Sequence, residues 1–281
     1  MPTPDLARFH GPLRVCPANP RYFCDDRGQA IYLTGSHTWA NIQELYVRGD
    51  APFDNAAYLD MLVDHGHNFT RMWQWLHPVA TPWTTDEVRI APLPYARPGP
   101  GLAADGAPKF DLTVWNEPYF DRLRQRVIAA GERGIYVSVM LFEGWCLKNI
   151  IPQSNPWRYH PYNVANNVNG VHGDLDGDGV PEVFTLEVPD VVAAQEALAR
   201  KVVDTLGDLD HVIWEVLNEI PVGPRYLMWH LHMMDYIHAY EAARPKQHPV
   251  GMTAEGGEED NRLLFASKAE WVAPGNGPNQ H

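Results

Sequence analysis

Short apolar runs alternate with amphipathic stretches along this chain, and that alternation constrains its fold more than any other feature. Residues 30–35, 68–75, 135–142, 211–219, 249–253 and 270–273 each read as a strand rich in apolar and β-branched residues. Between them lie helical patterns. Residues 54–65 offer Asp54 as a cap and set Tyr58, Met61 and Leu62 on one face. Residues 117–133 carry Phe120, Leu123, Val127 and Ala130 at helical spacing and stop at Gly134. Residues 190–206 carry Val191, Ala194, Leu198 and Val202, and 225–243 and 257–267 complete the set. Strands that alternate with helices form parallel βα units.

The connections indicate which parallel architecture. Two are far longer than the usual few residues: 76–112 after the second strand and 143–188 after the third. Both follow the C-terminal end of a strand, where a (β/α) barrel with an elaborated active face carries its long loops. The expected fold class is therefore α/β, a TIM-type (β/α) barrel in a single domain over residues 1–281. Six strands are legible and a barrel needs eight. The barrel is thus expected to be incomplete, with about six of eight βα units and its C-terminal units missing; residues 274–281 read as loop. Residues 21–27 read as a hairpin plugging the barrel floor, and the Pro/Gly-rich 91–108 as a surface excursion. An open barrel exposes strand edges, so self-association through them is expected.

The fourth strand carries the chemistry. Trp214-Glu215-Val216-Leu217-Asn218-Glu219-Ile220-Pro221 is an apolar strand that ends in an Asn-Glu pair and stops at proline. A carboxylate just past the apolar part of a parallel strand sits where barrel enzymes place catalytic groups. Leu217, Ile220, Pro221 and Trp214 around Glu219 give the apolar setting that keeps a donor acid protonated near neutral pH. In these residues, in strand type and in strand number, the chain resembles the clan A glycoside hydrolases, the cellulase and β-glycosidase superfamily of (β/α)8 barrels. The resemblance implies that Glu219 is a general acid/base and that Asn218 donates a hydrogen bond to a sugar hydroxyl. It also implies a nucleophilic Glu at the end of a seventh strand, which is not identifiable among these residues. The expected function is retaining hydrolysis of β-glycosidic bonds in an oligo- or polysaccharide. A chain that binds carbohydrate without turning it over is the alternative.

Two further strands support that setting. Asn68-Phe69-Thr70-Arg71-Met72-Trp73-Gln74-Trp75 resembles the clan's second strand, where an Arg points into the barrel. A guanidinium in an apolar strand needs an acidic partner, and Glu215 or the missing nucleophile is expected to supply it. His37 and Trp39 at the end of strand one fall where the clan contacts sugar. Glu143 and Trp145 at the end of strand three, and Trp73 and Trp75, are expected on the same rim. Asn116-Glu117-Pro118 repeats the motif's wording but follows no buried strand; it reads as a helix start, with Asn116 as N-cap.

Charge and composition bound the remaining choices. With 22 Lys and Arg against 35 Asp and Glu, the net charge of −13 argues against nucleic acid or an anionic membrane as partner. The N-terminus lacks a signal-peptide core and no run is long enough to span a membrane, so a cytoplasmic location is expected. Cys16, Cys24 and Cys146 suggest neither a disulfide framework nor a zinc site. A barrel metallohydrolase fits the 13 His poorly: His65 and His67 precede strand two, and His230 and His232 diverge on a helix. No cofactor is required. Asp174, Asp176 and Asp178, with Gly177, Gly179 and Glu182, resemble a calcium loop and mark a structural calcium site.

Overall fold

The computed structural model of the protein describes residues 8–47, 51–81, 83–148, 154–220 and 222–275. The proline expected to stop the fourth strand, Pro221, lies outside the described residues, as do 1–7 and 276–281.

The chain opens with a small antiparallel sheet, β1 (Arg14–Val15), β2 (Phe23–Cys24) and β3 (Ala30–Ile31), in that order. Then follow β4 (Gly35–Thr38), β5 (Glu44–Val47), α1 (Asn55–Asp64) and β6 (Phe69–Met72). The first long connection holds β7 (Val79–Thr81), β8 (Thr84–Ala91), β9 (Tyr95–Ala96) and β10 (Asp111–Trp115). After it come α2 (Glu117–Glu132), β11 (Tyr136–Glu143), α3 (Pro189–Leu206), β12 (Val212–Asn218), α4 (Pro224–Glu241), β13 (Val250–Thr253), α5 (Glu258–Phe265) and β14 (Trp271–Ala273).

Six strands form one parallel sheet in the order β14-β13-β12-β11-β6-β4. Spatial order equals chain order, with none of the reversal that marks a doubly wound sheet. This is the incomplete TIM-type barrel expected from the alternation, with β4 and β14 at its edges. The middle strands β11 and β12 are buried along their whole length. The helices cover the outer side through Phe120, Leu123 and Val127 on α2, Leu198 and Val202 on α3, and Met233 and Ile237 on α4. Asp54 caps α1 by accepting the Ala57 N–H at 3.0 Å, as expected, but α1 buries Leu59 and Leu62 while Met61 is exposed.

Three expectations change. The first barrel strand is Gly35–Thr38, because Ala30–Ile31 is spent on pairing with Phe23–Cys24. The small sheet that results does cover the barrel floor: Phe9, Leu13 and Phe23 pack on Tyr136 and Ile213 at the starts of β11 and β12. Second, Cys16 and Cys24 form a disulfide, with Cα atoms 4.9 Å apart. A separation of eight residues says nothing of proximity until β1 and β2 pair across their turn. The long connection after β6 is also more ordered than a loop: β8 pairs with β5 and β7 in an antiparallel sheet, and β9 with β10. No helix among the described residues is long and apolar enough to cross a membrane.

Candidate active site

The candidate site is built where β12 ends. Glu215, fully buried, points to the inner side of the sheet and meets Arg71 from β6. Arg71 Nε donates to Glu215 Oε2 at 2.9 Å, and its Nη2 to Glu215 Oε1 and, at 2.6 Å, to Asn218 Oδ1. Ser138 on β11 donates to Glu215 Oε2 at 3.1 Å. In register, His37 stands beside Arg71, and Arg71 beside Ser138. Four neighbouring strands therefore contribute one polar layer, and the acidic partner expected for Arg71 is Glu215. Burial and the Arg71 guanidinium push the His37 pKa below 6.5, so its imidazole is neutral at pH 7.

Glu219 leaves the strand by a left-handed step, with φ of 58°, a region few non-glycine residues occupy. That step takes the carboxylate out of the strand's alternation, to a partly exposed position beside Lys148. Trp214 instead faces α4, where its indole N–H donates to Glu241. The Glu219 side chain is 36% exposed and sits 3.4 Å from Lys148 Nζ. The same ammonium lies 2.9 Å from Oε1 of Glu255, just beyond β13. The turn after β11 passes directly beneath: a Cβ on Gly144 would come within 2.4 Å of the Glu219 carbonyl oxygen, so only glycine fits there.

The aromatic residues separate into a rim and a wall. Trp39 is 38% exposed, half-buried Trp83 lies against it with its ring tilted at 4.8 Å, and half-buried Trp145 meets Trp83 edge-on at 4.9 Å. Trp73 and Trp75, expected on the rim, are buried behind them. Their backbone is held by side chains: the Trp73 N–H donates to Asn41 Oδ1 and the Trp75 N–H to Gln43 Oε1. Glu143 is not on the rim either. It is buried, accepts the Cys146 N–H at 3.1 Å and pairs with His77 Nδ1 at 3.2 Å.

Asp174, Asp176 and Asp178 do bring carboxylate oxygens within 4.8 Å of one another. Asp174 also accepts the Gly177 and Gly179 N–H groups, and Glu182 is engaged by Arg225 at 3.1 Å and by the Leu175 N–H. Glu117, the motif's second copy, lies in the first turn of α2 and pairs with Lys201 on the outer surface. Asn116 occupies the N-cap position, but its side chain donates to the Leu93 carbonyl instead of capping.

Residues 89–273, two thirds of the chain and every element from β9 to β14, match the family model described as Domain of unknown function (DUF6298). The chain belongs to the DUF6298 family. A search of curated proteins by sequence finds no match. Among solved structures, the DUF6298 chain is similar to a putative glycoside hydrolase from Bacteroides vulgatus, at 14% identity over 92% of this chain and 41% of that one, with a TM-score of 0.54. It is also similar to endo-glycoceramidase II from Rhodococcus sp., at 18% identity over 83% of this chain and 50% of that one, with a TM-score of 0.50. The fold of the DUF6298 chain is thus that of glycoside hydrolases, and the chain spans half the length of those structures or less.

Within this DUF6298 chain, sequence reasoning missed Lys148, Trp83 and the placement of Glu255 beside Glu219. Lys148 follows Trp145 by one turn, the single local signal that it reaches the same rim.

Proposed function

We propose that the chain carries the acid/base half of a retaining β-glycosidase active site, with Glu219 as the acid/base. The observation that supports this reading best is the pairing of chemistry with strain. An Asn-Glu pair closes the fourth parallel strand of a barrel sheet, and the Glu is held in a left-handed conformation, half exposed above a buried Arg71-Glu215-Ser138 layer. Non-glycine residues kept in that region cost about 1–3 kcal/mol and cluster at functional sites.

In this reading Glu219 protonates the leaving glycosidic oxygen as a carboxylate attacks the anomeric carbon. The C–O bond breaks and a glycosyl ester forms. Glu219, now a carboxylate, takes a proton from water, which attacks the same carbon and releases the sugar. Asn218 is polarised by Arg71 through its carbonyl oxygen, which leaves its amide to donate to a sugar hydroxyl. Neutral His37 offers a second polar contact. The open face of Trp39 stacks on the apolar face of a pyranose ring, with Trp83 and Trp145 bracing it. The substrate is an oligo- or polysaccharide. The acidic loop of Asp174, Asp176 and Asp178 is proposed as a structural calcium site away from this chemistry.

A second reading concerns the nucleophile. The resemblance assigns it to a seventh strand, but Glu255 shares the Lys148 ammonium with Glu219. Each carboxylate contacts the same ammonium, at 3.4 and 2.9 Å, which puts the two acids side by side as a retaining pair requires. Turnover of an aryl β-glycoside by Glu219→Gln and Glu255→Gln variants tests both readings. Loss in both assigns the pair within this chain. Loss in Glu219→Gln alone assigns the nucleophile elsewhere. Sugar binding with no turnover by the unsubstituted protein rejects the enzyme in favour of a binding role.

A further inference from the structure

Behind the candidate active site, four buried side chains from three separate segments turn toward one another. Glu143 ends β11, and Cys146 lies in the single 3-10 turn Gly144–Leu147 that follows it. His160 ends a second such turn, Pro156–Tyr159, and His77 leaves the segment after β6. None of the four is more than 1% exposed. A Glu143 carboxylate oxygen, the Cys146 sulfur and a His160 ring nitrogen lie within 4.8 Å of one another. His77 Nδ1 lies 3.2 Å from Glu143 Oε1. His160 Nε2 is buried and has no hydrogen-bond partner among the described residues. A buried polar atom left unsatisfied calls for a physical account, and an ion is one of the few available.

We propose that Glu143, Cys146, His160 and His77 hold one structural zinc ion. The donor set selects the metal: one thiolate, two imidazoles and one carboxylate suit zinc, whereas calcium and magnesium take oxygen ligands. Donors about 2.1 Å from a tetrahedral ion stand about 3.4 Å apart, and Glu143 and His77 already have that spacing. The Glu143, Cys146 and His160 donors, within 4.8 Å of one another, have to draw closer to reach coordination distance. Complete burial leaves no position open to water or substrate, which is the mark of a structural rather than a catalytic centre. Binding through His160 Nε2 moves the ring proton to Nδ1 and gives up the contact from the Tyr162 N–H to Nδ1 at 3.2 Å, and the Cys146 thiolate gives up the thiol's contact to the Glu143 carbonyl at 3.6 Å. Two weak hydrogen bonds are a small loss against four coordinate bonds.

The centre would brace the site from behind. The turn anchored by Cys146 carries Trp145 on the rim and runs into Lys148, which pairs with Glu219 and Glu255. Gly144 in the same turn presses on the Glu219 carbonyl. Zinc would fix both contacts at once, and it does so whether or not the glycosidase reading holds.

The test is metal analysis of the whole protein purified without chelator, followed by removal of metal and titration with cobalt(II). The proposal predicts one zinc per chain and, on cobalt addition, an intense near-ultraviolet thiolate-to-metal band. Cys146 is the chain's one cysteine outside the Cys16–Cys24 disulfide, so that band reports Cys146 alone. Chelation should lower the melting temperature, and calcium alone should not restore it fully without zinc. His160→Ala should lose the zinc, whereas Asp174→Asn in the acidic loop should keep it. Absence of both zinc and the cobalt band in the unsubstituted protein overturns the proposal, even if the variants fail to fold. Full zinc retention in folded His160→Ala overturns it as well.

Discussion

Arg71 and Glu215 meet as a two-point pair on the inner side of the barrel sheet, Nε to Oε2 at 2.9 Å and Nη2 to Oε1. Glu215 is fully buried, and its other partner is the neutral Ser138 hydroxyl. Removing the guanidinium strands a carboxylate out of water, which costs about 3–5 kcal/mol. Arg71→Met should therefore destabilise the protein by that amount, and Arg71→Met with Glu215→Gln by clearly less, since the second change removes the charge. Urea denaturation of both variants checks this. A single variant within about 1 kcal/mol of the parent would show that water reaches Glu215.

Glu219 holds its φ of 58° at a cost that glycine does not bear. At this position Glu219→Gly should be more stable than Glu219→Ala by about 1 kcal/mol, the reverse of the usual order in ordered structure. Both variants lose the carboxylate, so the comparison isolates the backbone. Equal midpoints in urea would mean that the step relaxes once the side chain is gone.

Acid should weaken the fold before it protonates most carboxylates. Burial lowers the pKa values of His211 and His230 from 6.5 to about 4. His211 Nε2 is tied to the Val127 carbonyl, and His230 Nδ1 to the Tyr226 carbonyl. Between about pH 6.5 and pH 4 the unfolded chain binds more protons than the folded one. Stability is thus fully present above pH 6.5 and falls as the pH drops toward 4, by up to about 3 kcal/mol per histidine. His211→Gln, which can keep a donor toward Val127, should flatten that slope in melts across the range. An unchanged slope would remove His211 from the account.

The disulfide predicts a thiol count. Cys146 is fully buried and Cys16 is bonded to Cys24. A thiol reagent should find no reactive group in the folded protein and one per chain after denaturation with a chelator. Three thiols would show that Cys16 and Cys24 stand apart.

What was legible in the sequence follows from what is local. The six parallel strands and their helices carry their own periodicity, so β11, β12 and α2 fall within a residue or two of expectation. Strand β4 did not, because Gly-Ser-His-Thr has a polar inner face and the apolar run before it belongs to the small floor sheet. Sheet β5-β8-β7 was illegible because its partners lie on either side of α1 and β6. At the site, Arg71 could be matched to Glu215 because a buried cation must find an anion. Glu219 was located, but its surroundings were misread: the left-handed step turns the side chain away from Trp214 and toward Lys148, and no spacing encodes that step. The grouping of His77, Glu143, Cys146 and His160 is equally nonlocal.

The central claim is that Glu219 is the proton donor of a glycosidase site, and leaving-group dependence tests it most directly. Aryl β-glycosides whose leaving phenol needs protonation should be cleaved about 10²–10⁴-fold more slowly by Glu219→Gln than by the parent. Glycosides of strongly acidic phenols, which depart without a proton, should suffer far less in the glycosyl-transfer step. Equal losses across the series, or no loss, would contradict the assignment.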